Sequence, residues 1–298
     1  MTEITSEFVW SCIRPRPRDS HKGTFGSVLA LAGSARYRGA ALLAAEGALR
    51  AGAGLVTLAS VEPVLAAASA RLPECCLLPC IDGAEGGISP ESLPLLRRQK
   101  AAVLLAGPGL GYTAQSTARA AETRTLIQQL LSSFAGCSVL DADGLNAAAG
   151  LLSAGQPLPH PAGALVLTPH PGEMARLTGL STGAVNADRE GIARRFAQQW
   201  DAVVLLKGMR TIIAAPDGRC FVNPTGNPGL ARGGSGDALA GILAALLACG
   251  LEAAEAAACA AWLHGAAADR AAAQRGEYGM LPQDLFPALG TLFAENGR

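Results

Sequence analysis

Gly233-Gly234-Ser235-Gly236-Asp237 sets four small residues and a carboxylate at the head of a long apolar run. Glycines let the backbone approach a ligand closely and turn its N–H groups inward. A helix starting there adds unpaired amide donors and partial positive charge at its N-terminus. Together these make an anion hole of phosphoryl size. Asp237 falls in the first turn of that helix. Two roles suit it: complementing the helix dipole, or accepting the proton of a hydroxyl that attacks a phosphoryl group held by the amides.

Further polar clusters recur along the chain: Ala32-Gly33-Ser34, Gly107–Gly111 (GPGLG), Asp141–Asn146 (DADGLN), Thr168–Glu173 (TPHPGE) and Lys207-Gly208-Met209-Arg210-Thr211. Lysine occurs only at Lys22, Lys100 and Lys207. At Lys207 a point charge for phosphate stands four residues before a Thr hydroxyl. His170 lies between two prolines that fix its backbone, as suits a binding or orienting group. Gly39 and Ala40 are small at a helix start, where a bulky side chain would block a ligand. Asp141 and Asp143 suit a magnesium or water shell, or helix capping with Asp143 as N-cap. Asn223 and Asn227 suit phosphate contacts or turn chemistry. His21 and Lys22 could meet a phosphate or a neighbouring subunit. His264, in an Ala-rich helix, reads as structural.

Each cluster follows a short apolar run. Ser27–Ala32, Leu55–Ala59, Ala102–Ala106, Ser138–Asp141, Leu165–Thr168 and Val203–Leu206 read as strands, Ala40–Ala51 as a helix, and the chain from Ser235 onward as mostly helical. Continuous apolar strands alternating with helices predict an α/β fold with a parallel sheet covered on both faces. In such sheets ligands bind beyond the carboxyl ends of the strands, where these clusters fall. Residues 211–223 read as a hairpin turning at Pro216-Asp217-Gly218. Residues 1–20, rich in Pro and Arg between Arg14 and Arg18, read as a lead-in arm, and 21–298 as a single domain.

Composition narrows the function classes. Of the 298 residues 50% are hydrophobic and 16% charged, which is globular rather than disordered. Lys+Arg and Asp+Glu both number 24, so the basic excess of a nucleic-acid binder is missing. The longest uncharged apolar run, Ala238–Leu251, is too short to span a bilayer, and the N-terminus has no signal-peptide core; a cytoplasmic protein with no membrane partner is expected. Of the eight cysteines only Cys75, Cys76 and Cys80 cluster, without the CxxC and His spacing of a zinc site.

The ordered set of motifs carries a resemblance. GGSGD followed by a helix is similar to the anion hole and catalytic base of ribokinase-like kinases. With HKGTFGSVLALAGS (21–34), YRGAALLAAEGALRAGAGLVTLA (37–59), GPGLG, DADGLN, LTPHPGEMARL, LLKGMRT and GNPGLARGGSGDALAGI, the chain from His21 to its C-terminal helices resembles the ADP-dependent (S)-NAD(P)H-hydrate dehydratases. The resemblance implies a three-layer ribokinase-like fold, with helices on both faces of a mostly parallel sheet. It implies repair of hydrated NADH and NADPH (NADHX and NADPHX): ADP phosphorylates the added hydroxyl and becomes AMP, and phosphate leaves to restore the ring. Mg2+ would neutralise phosphate charge. By the same resemblance Asp237 is the catalytic base and Gly233, Gly234, Ser235 and Gly236 the anion hole. Lys207, Gly208, Met209, Arg210, Thr211 and Gly236 would bind ADP and AMP. Ala40, Gly109, His170 and Asp237 would bind the hydrated dinucleotide. No metal ligands are assigned.

Arg232 departs from the family pattern, which commonly has a small polar residue there. Many bacterial members carry an N-terminal epimerase domain for which this chain has no room, so a separate NAD(P)H-hydrate epimerase is the expected functional partner. A homo-oligomer, a tetramer by resemblance, is expected. Two other functions share GGSGD: a ribokinase-like kinase of a small vitamin-precursor alcohol, and a non-catalytic nucleotide-binding regulatory protein. GPGLG and TPHPGE favour a long dinucleotide over a compact ring, and pure binding has no need of Asp237.

Overall fold

A computed structural model describes residues 1–112 and 117–298. The apolar runs form strands β1 (Thr2–Glu3), β2 (Ser27–Leu31), β3 (Leu55–Ser60), β4 (Cys76–Pro79), β5 (Val103–Ala106), β6 (Cys137–Leu140), β7 (Leu165–Leu167), β8 (Val203–Leu206), β9 (Ile212–Ala214) and β10 (Cys220–Val222). The helices are α1 (Ser6–Cys12), α2 (Arg38–Arg50), α3 (Glu62–Arg71), α4 (Leu93–Arg97), α5 (Thr117–Leu131), α6 (Asp143–Ser153), α7 (Pro171–Thr178), α8 (Thr182–Ala187), α9 (Arg189–Gln199), α10 (Ser235–Ala248), α11 (Ala253–Gly279) and α12 (Leu285–Glu295). The expected strands and the 211–223 hairpin are present, most with ends displaced by a residue.

The sheet order is β1-β10-β9-β8-β7-β6-β5-β2-β3-β4. All neighbours are parallel except β9, which runs antiparallel to both β8 and β10. From β2 the chain winds outward through β3 and β4, then returns to β5 on the other side of β2 and winds the opposite way. The crevice between β2 and β5 is therefore the topological switch point, where open α/β sheets bind ligands. Register makes the strand ends level. Leu31 pairs with Ala106, Ala106 with Leu140, and Leu140 with Leu167. Hence Ala32-Gly33-Ser34, GPGLG, DADGLN and TPHPGE all leave the sheet along one edge.

Helices α2 and α10 run in the same direction in close contact. A Cβ on Gly241 would lie 2.1 Å from the Ala44 carbonyl oxygen, and one on Gly47 2.7 Å from that of Ala238. These two glycines let the backbones touch. The packing sets the N-termini of both helices at the edge where the strands end.

The first twenty residues divide. Thr2–Glu3 forms the edge strand beside β10, and Ile4, Val9 and Ile13 are buried in the core. The lead-in arm expected for residues 1–20 describes only the stretch after Ile13, where Arg16 lies over the Phe25 ring at 3.8 Å. Apolar spacing across a two-residue strand and a two-turn helix is too short to show as a pattern. The edge strand β4 was not expected either. It places Cys76 exposed, with Cys75 buried and Cys80 half-buried beside it, all free. Burial pushes the thiols of Cys75 and Cys80 up to about 11, which leaves them protonated and inert at neutral pH. No helix among the described residues is long and apolar enough to cross a membrane.

Candidate active site

At the head of α10, Gly234 has φ +97°, a left-handed conformation that glycine adopts without strain. It also meets Leu43 of α2 and Pro282 so closely that a Cβ would lie 2.6 Å from Leu43 Cδ1. Gly233 is exposed and open, Ser235 is buried, and Gly236 and Asp237 occupy the first turn of α10. The Ser235 amide donates back to the Arg232 carbonyl (3.3 Å), whereas those of Gly236 and Asp237 have no intrahelical acceptor and face outward as donors.

Lys207 leaves the end of β8 beside them. Its Nζ lies 2.7 Å from Asp141 Oδ1 and 3.7 Å from Glu173 Oε2. A Cβ on Gly236 would stand 3.2 Å from the same Nζ and 3.8 Å from Asp141 Oδ2. Burial pulls the Lys207 pKa down, but the carboxylates of Asp141 and Glu173 outweigh it and hold the ammonium charged. Asp141 is 1% exposed and also accepts a 2.7 Å hydrogen bond from the Thr168 hydroxyl. Burial, reinforced by the negative charge of Asp141 and offset in part by Lys207, pushes the Asp237 carboxyl up to about 7. A carboxyl poised there beside amide donors and a cation is suited to proton transfer at neutral pH.

His170 caps α7. Its Nδ1 accepts from the amides of Gly172 (3.0 Å) and Glu173 (3.4 Å), while Glu173 Oε2 accepts from the His170 amide at 2.8 Å. The proton of the neutral ring is therefore on Nε2, on an exposed ring that can donate to a ligand. Burial lowers its pKa, keeping it neutral at pH 7.

On the other side of the crevice Gly109 has φ +64° and rests on the start of α2. A Cβ there would lie 2.8 Å from the Tyr37 carbonyl oxygen and 2.9 Å from Ala40 Cβ. The Ser34 hydroxyl donates to the Gly109 carbonyl (2.9 Å), and the Gly111 amide donates to Asp143 Oδ2 (2.8 Å). Asp143 is thus not the N-cap of α6. It sits one residue inside the helix and ties GPGLG to it, with its pKa raised by burial.

Gly208 to Thr211 form a tight turn. Gly208 has φ +147° and Arg210 φ +55°. The Thr211 hydroxyl donates to the Gly208 carbonyl (3.0 Å), and Met209 stands out at 89% exposure. Arg189 holds the turn by donating to the carbonyls of Met209 (2.6 Å) and Leu206 (3.0 Å). Nothing in the sequence marks Arg189 for this, since its partners are backbone atoms far along the chain.

The structure therefore brings Gly236, Asp237 and Lys207 together with Asp141, Glu173 and His170, and joins Ala40 to Gly109. Other residues go elsewhere. His21 and Lys22 lie where β3 begins, at the opposite edge of the sheet: a Cβ on Gly54 would meet the Lys22 carbonyl oxygen at 1.8 Å. Asn223 and Asn227 turn toward α11. Asn223 Nδ2 donates to the Ala261 carbonyl (3.0 Å), and Asn227 Nδ2 to Asp269 (2.9 Å). Arg232 reaches the Tyr278 carbonyl at 3.0 Å. His264, read as structural, is buried with Nε2 2.9 Å from the Ser235 carbonyl oxygen. Among the described residues no group of three His, Cys, Asp or Glu is placed to hold a metal ion. Asp141 and Glu173 are taken up by Lys207 and by hydroxyl and amide donors.

A mostly parallel sheet, a glycine-rich helix start and a carboxylate in its first turn define the class of ribokinase-like phosphoryl-transfer folds. Residues 28–290 match the profile described as NAD(P)H-hydrate dehydratase, and the chain belongs to that family. A bifunctional NAD(P)H-hydrate repair enzyme of Moorella thermoacetica is 44% identical over 288 residues, covering 96% of this chain and 52% of that protein. The chain thus spans about half the length of the bifunctional relatives it matches. An ADP-dependent (S)-NAD(P)H-hydrate dehydratase of Neisseria meningitidis is 40% identical over 280 residues, covering 92% of this chain and 87% of that one. The crystal structure of the ADP/ATP-dependent NAD(P)H-hydrate dehydratase of Bacillus subtilis, co-crystallised with ATP and Mg2+, superposes with a TM-score of 0.85 at 32% identity. It covers 99% of this chain and 98% of that one.

Proposed function

We propose that this chain is an ADP-dependent (S)-NAD(P)H-hydrate dehydratase that returns NADHX and NADPHX to NADH and NADPH. The observation that carries the reading is Asp237. Its carboxyl titrates near neutral pH in the first turn of α10, beside the open Gly236 amide and the Lys207 ammonium.

The terminal phosphoryl group of ADP is held in the anion hole of Gly233, Gly234, Ser235 and Gly236, on the amides left without an acceptor there, and by Lys207. Asp237 accepts the proton of the hydrate hydroxyl as its oxygen attacks phosphorus, and AMP departs. Hydroxide is a poor leaving group and phosphate a good one. The phosphorylated ring then expels phosphate, a neighbouring ring carbon gives up its proton, and the reduced nicotinamide is restored. The net products are AMP, phosphate and NAD(P)H. Lys207, Gly208, Met209, Arg210, Thr211 and Gly236 line the nucleotide side. Ala40, Gly109, His170 and Asp237 line the dinucleotide side, with the His170 Nε2 proton available to an oxygen of the substrate. Mg2+ would travel with the nucleotide phosphates, which supply the oxygen ligands it prefers. We place the protein in the cytoplasm as a homo-oligomer, a tetramer by family likeness, with an NAD(P)H-hydrate epimerase activity as its functional partner.

The test is to incubate the protein with purified (S)-NADHX, Mg2+ and ADP and to follow the absorbance of the reduced ring. Parallel runs use ATP, no nucleotide, and Asp237→Asn. An ADP-dependent rise that needs Asp237 and forms AMP is the expected result. No rise with either nucleotide, in a protein that binds ADP, overturns the reading.

A further inference from the structure

The carbonyl of Ser235 and the amide nitrogen of Gly236 belong to one planar peptide group. The amide end faces the anion hole beside Lys207. The carbonyl end meets His264 Nε2 at 2.9 Å, from the middle of α11 and away from solvent. A carbonyl oxygen only accepts, so Nε2 carries the proton and His264 donates.

This bond is additional to the one that helix geometry already gives the Ser235 carbonyl, from the amide four residues on. Its removal therefore leaves no orphaned acceptor. What it adds is orientation and polarity. A donor on the carbonyl fixes the tilt of the peptide plane and draws electron density from the amide nitrogen, which strengthens the N–H at the other end as a donor.

The ring suits a permanent donor. Burial, opposed by the Ser235 hydrogen bond and reinforced by the charge of Lys207, lowers its pKa to about 4, so it stays neutral across the physiological range. The scaffold around it is firm. One turn before His264, the Ala261 carbonyl accepts from Asn223 Nδ2, and the Trp262 carbonyl accepts from the Thr225 hydroxyl at 3.0 Å. One turn after it, Asp269 accepts from the Gly226 amide (3.0 Å) and from Asn227 Nδ2. Gly265 permits the Thr225 contact with α11, since a Cβ there would lie 2.2 Å from Thr225 Oγ1. Helix α11 thus grips the chain from Asn223 to Asn227 as it approaches the anion hole, and His264 is the contact that reaches the anion-hole peptide itself.

We propose that His264 is a positioning residue for phosphoryl transfer: through the Ser235 carbonyl it aims and strengthens the Gly236 amide that meets the transferring phosphoryl group. The catalytic consequence rests on the dehydratase reading above; the hydrogen bond's effect on the Gly236 amide does not.

The experiment compares His264→Leu, which fills the space without a donor, with His264→Gln, whose side-chain amide can place an N–H near the Nε2 position. Two readouts are taken on folded protein: the amide resonance of Gly236 in 15N-labelled enzyme, and steady-state turnover with ADP. The expected result is a displaced Gly236 resonance in His264→Leu with kcat down about tenfold, because the amide bears on charge that develops in transfer. The ADP KM should stay within about twofold, and His264→Gln should recover both the resonance and most of kcat. An unmoved Gly236 resonance in folded His264→Leu overturns the inference whatever the assay gives. So does a kcat within twofold of the parent, or a folded His264→Gln that is as slow as His264→Leu. Should His264→Leu fail to fold, His264→Gln decides alone, and parental resonance and turnover are required of it. A parent that yields no ADP-dependent product rejects the dehydratase reading, and the resonance comparison still decides whether His264 acts on the Gly236 amide.

Discussion

Lys207 Nζ lies 2.7 Å from Asp141 Oδ1, joining two residues 66 positions apart in the chain, and the carboxylate is 1% exposed. The pair bridges the ends of β8 and β6. It keeps a buried negative charge beside the helix start that we propose holds another. Lys207→Met would remove the cation and leave Asp141 and Glu173 uncompensated. Breaking a buried pair from one side costs about 3–5 kcal/mol. The expected outcome is a marked fall in Tm, with Lys207→Met plus Asp141→Asn recovering much of it. Thermal unfolding of the two single variants and the double variant measures the coupling. Additive losses would mean that the pair does not act as a unit.

The raised carboxyl of Asp237 gives activity a direction with pH. A base must be ionised to accept a proton, and this group ionises near pH 7. kcat/KM should therefore rise through that region on a single ionisation and level off above it. Asp237→Asn should lose about 10²–10⁴-fold and have no such limb. A parent profile flat from pH 5.5 to 8 would remove Asp237 from the role of base.

The same shift has a consequence for stability, with a definite sign. The folded chain holds the Asp237 proton up to about pH 7, whereas the ordinary value is 3.8. Between those values the native state binds more protons than the unfolded state, so stability declines as pH rises through the window. Asn has no charge to bury. Relative to the parent, Asp237→Asn should gain stability with rising pH, from little difference near pH 4 to an advantage on the order of 1–4 kcal/mol above pH 7. Paired denaturant titrations at pH 4.5 and 8 check this; an equal difference at both would show that the carboxylate is not penalised by burial.

Much of this site was legible in the sequence because each part follows an apolar run that can only be a buried strand. GPGLG, DADGLN, TPHPGE and KGMRT leave β5, β6, β7 and β8; the first three strands end level and β8 runs two residues further along the same edge, so residues far apart in sequence meet. What escaped lies in contacts that no local pattern encodes. His264 looks like one polar residue in an alanine-rich helix until α11 is laid beside α10. Arg189 grips backbone carbonyls, which carry no side-chain identity to read. Thr2–Glu3 becomes a strand only because β10 offers it a free edge. Asn223 and Asn227 fitted either a phosphate or a turn; the turn holds, with their Oδ1 atoms accepting from the Thr225 and Gly229 amides, while their Nδ2 atoms reach α11.

Gly109 offers a test that separates the two halves of the crevice. Its φ of +64° disfavours any side chain, and a Cβ would fall 2.8 Å from the Tyr37 carbonyl oxygen and 2.9 Å from Ala40 Cβ. The start of α2 would have to move away, carrying Ala40 with it. The proposed nucleotide side, Lys207 and the head of α10, is not among the nearest neighbours of this glycine. Gly109→Ala should therefore raise the KM for the hydrated dinucleotide about tenfold or more while leaving ADP affinity within about twofold. Calorimetric titration with ADP and steady-state kinetics on (S)-NADHX measure the two sides independently. If ADP affinity falls as the hydrate KM rises, the two sides form one shared pocket. If neither changes, the dinucleotide binds elsewhere and the assignment of Ala40 and Gly109 to it fails.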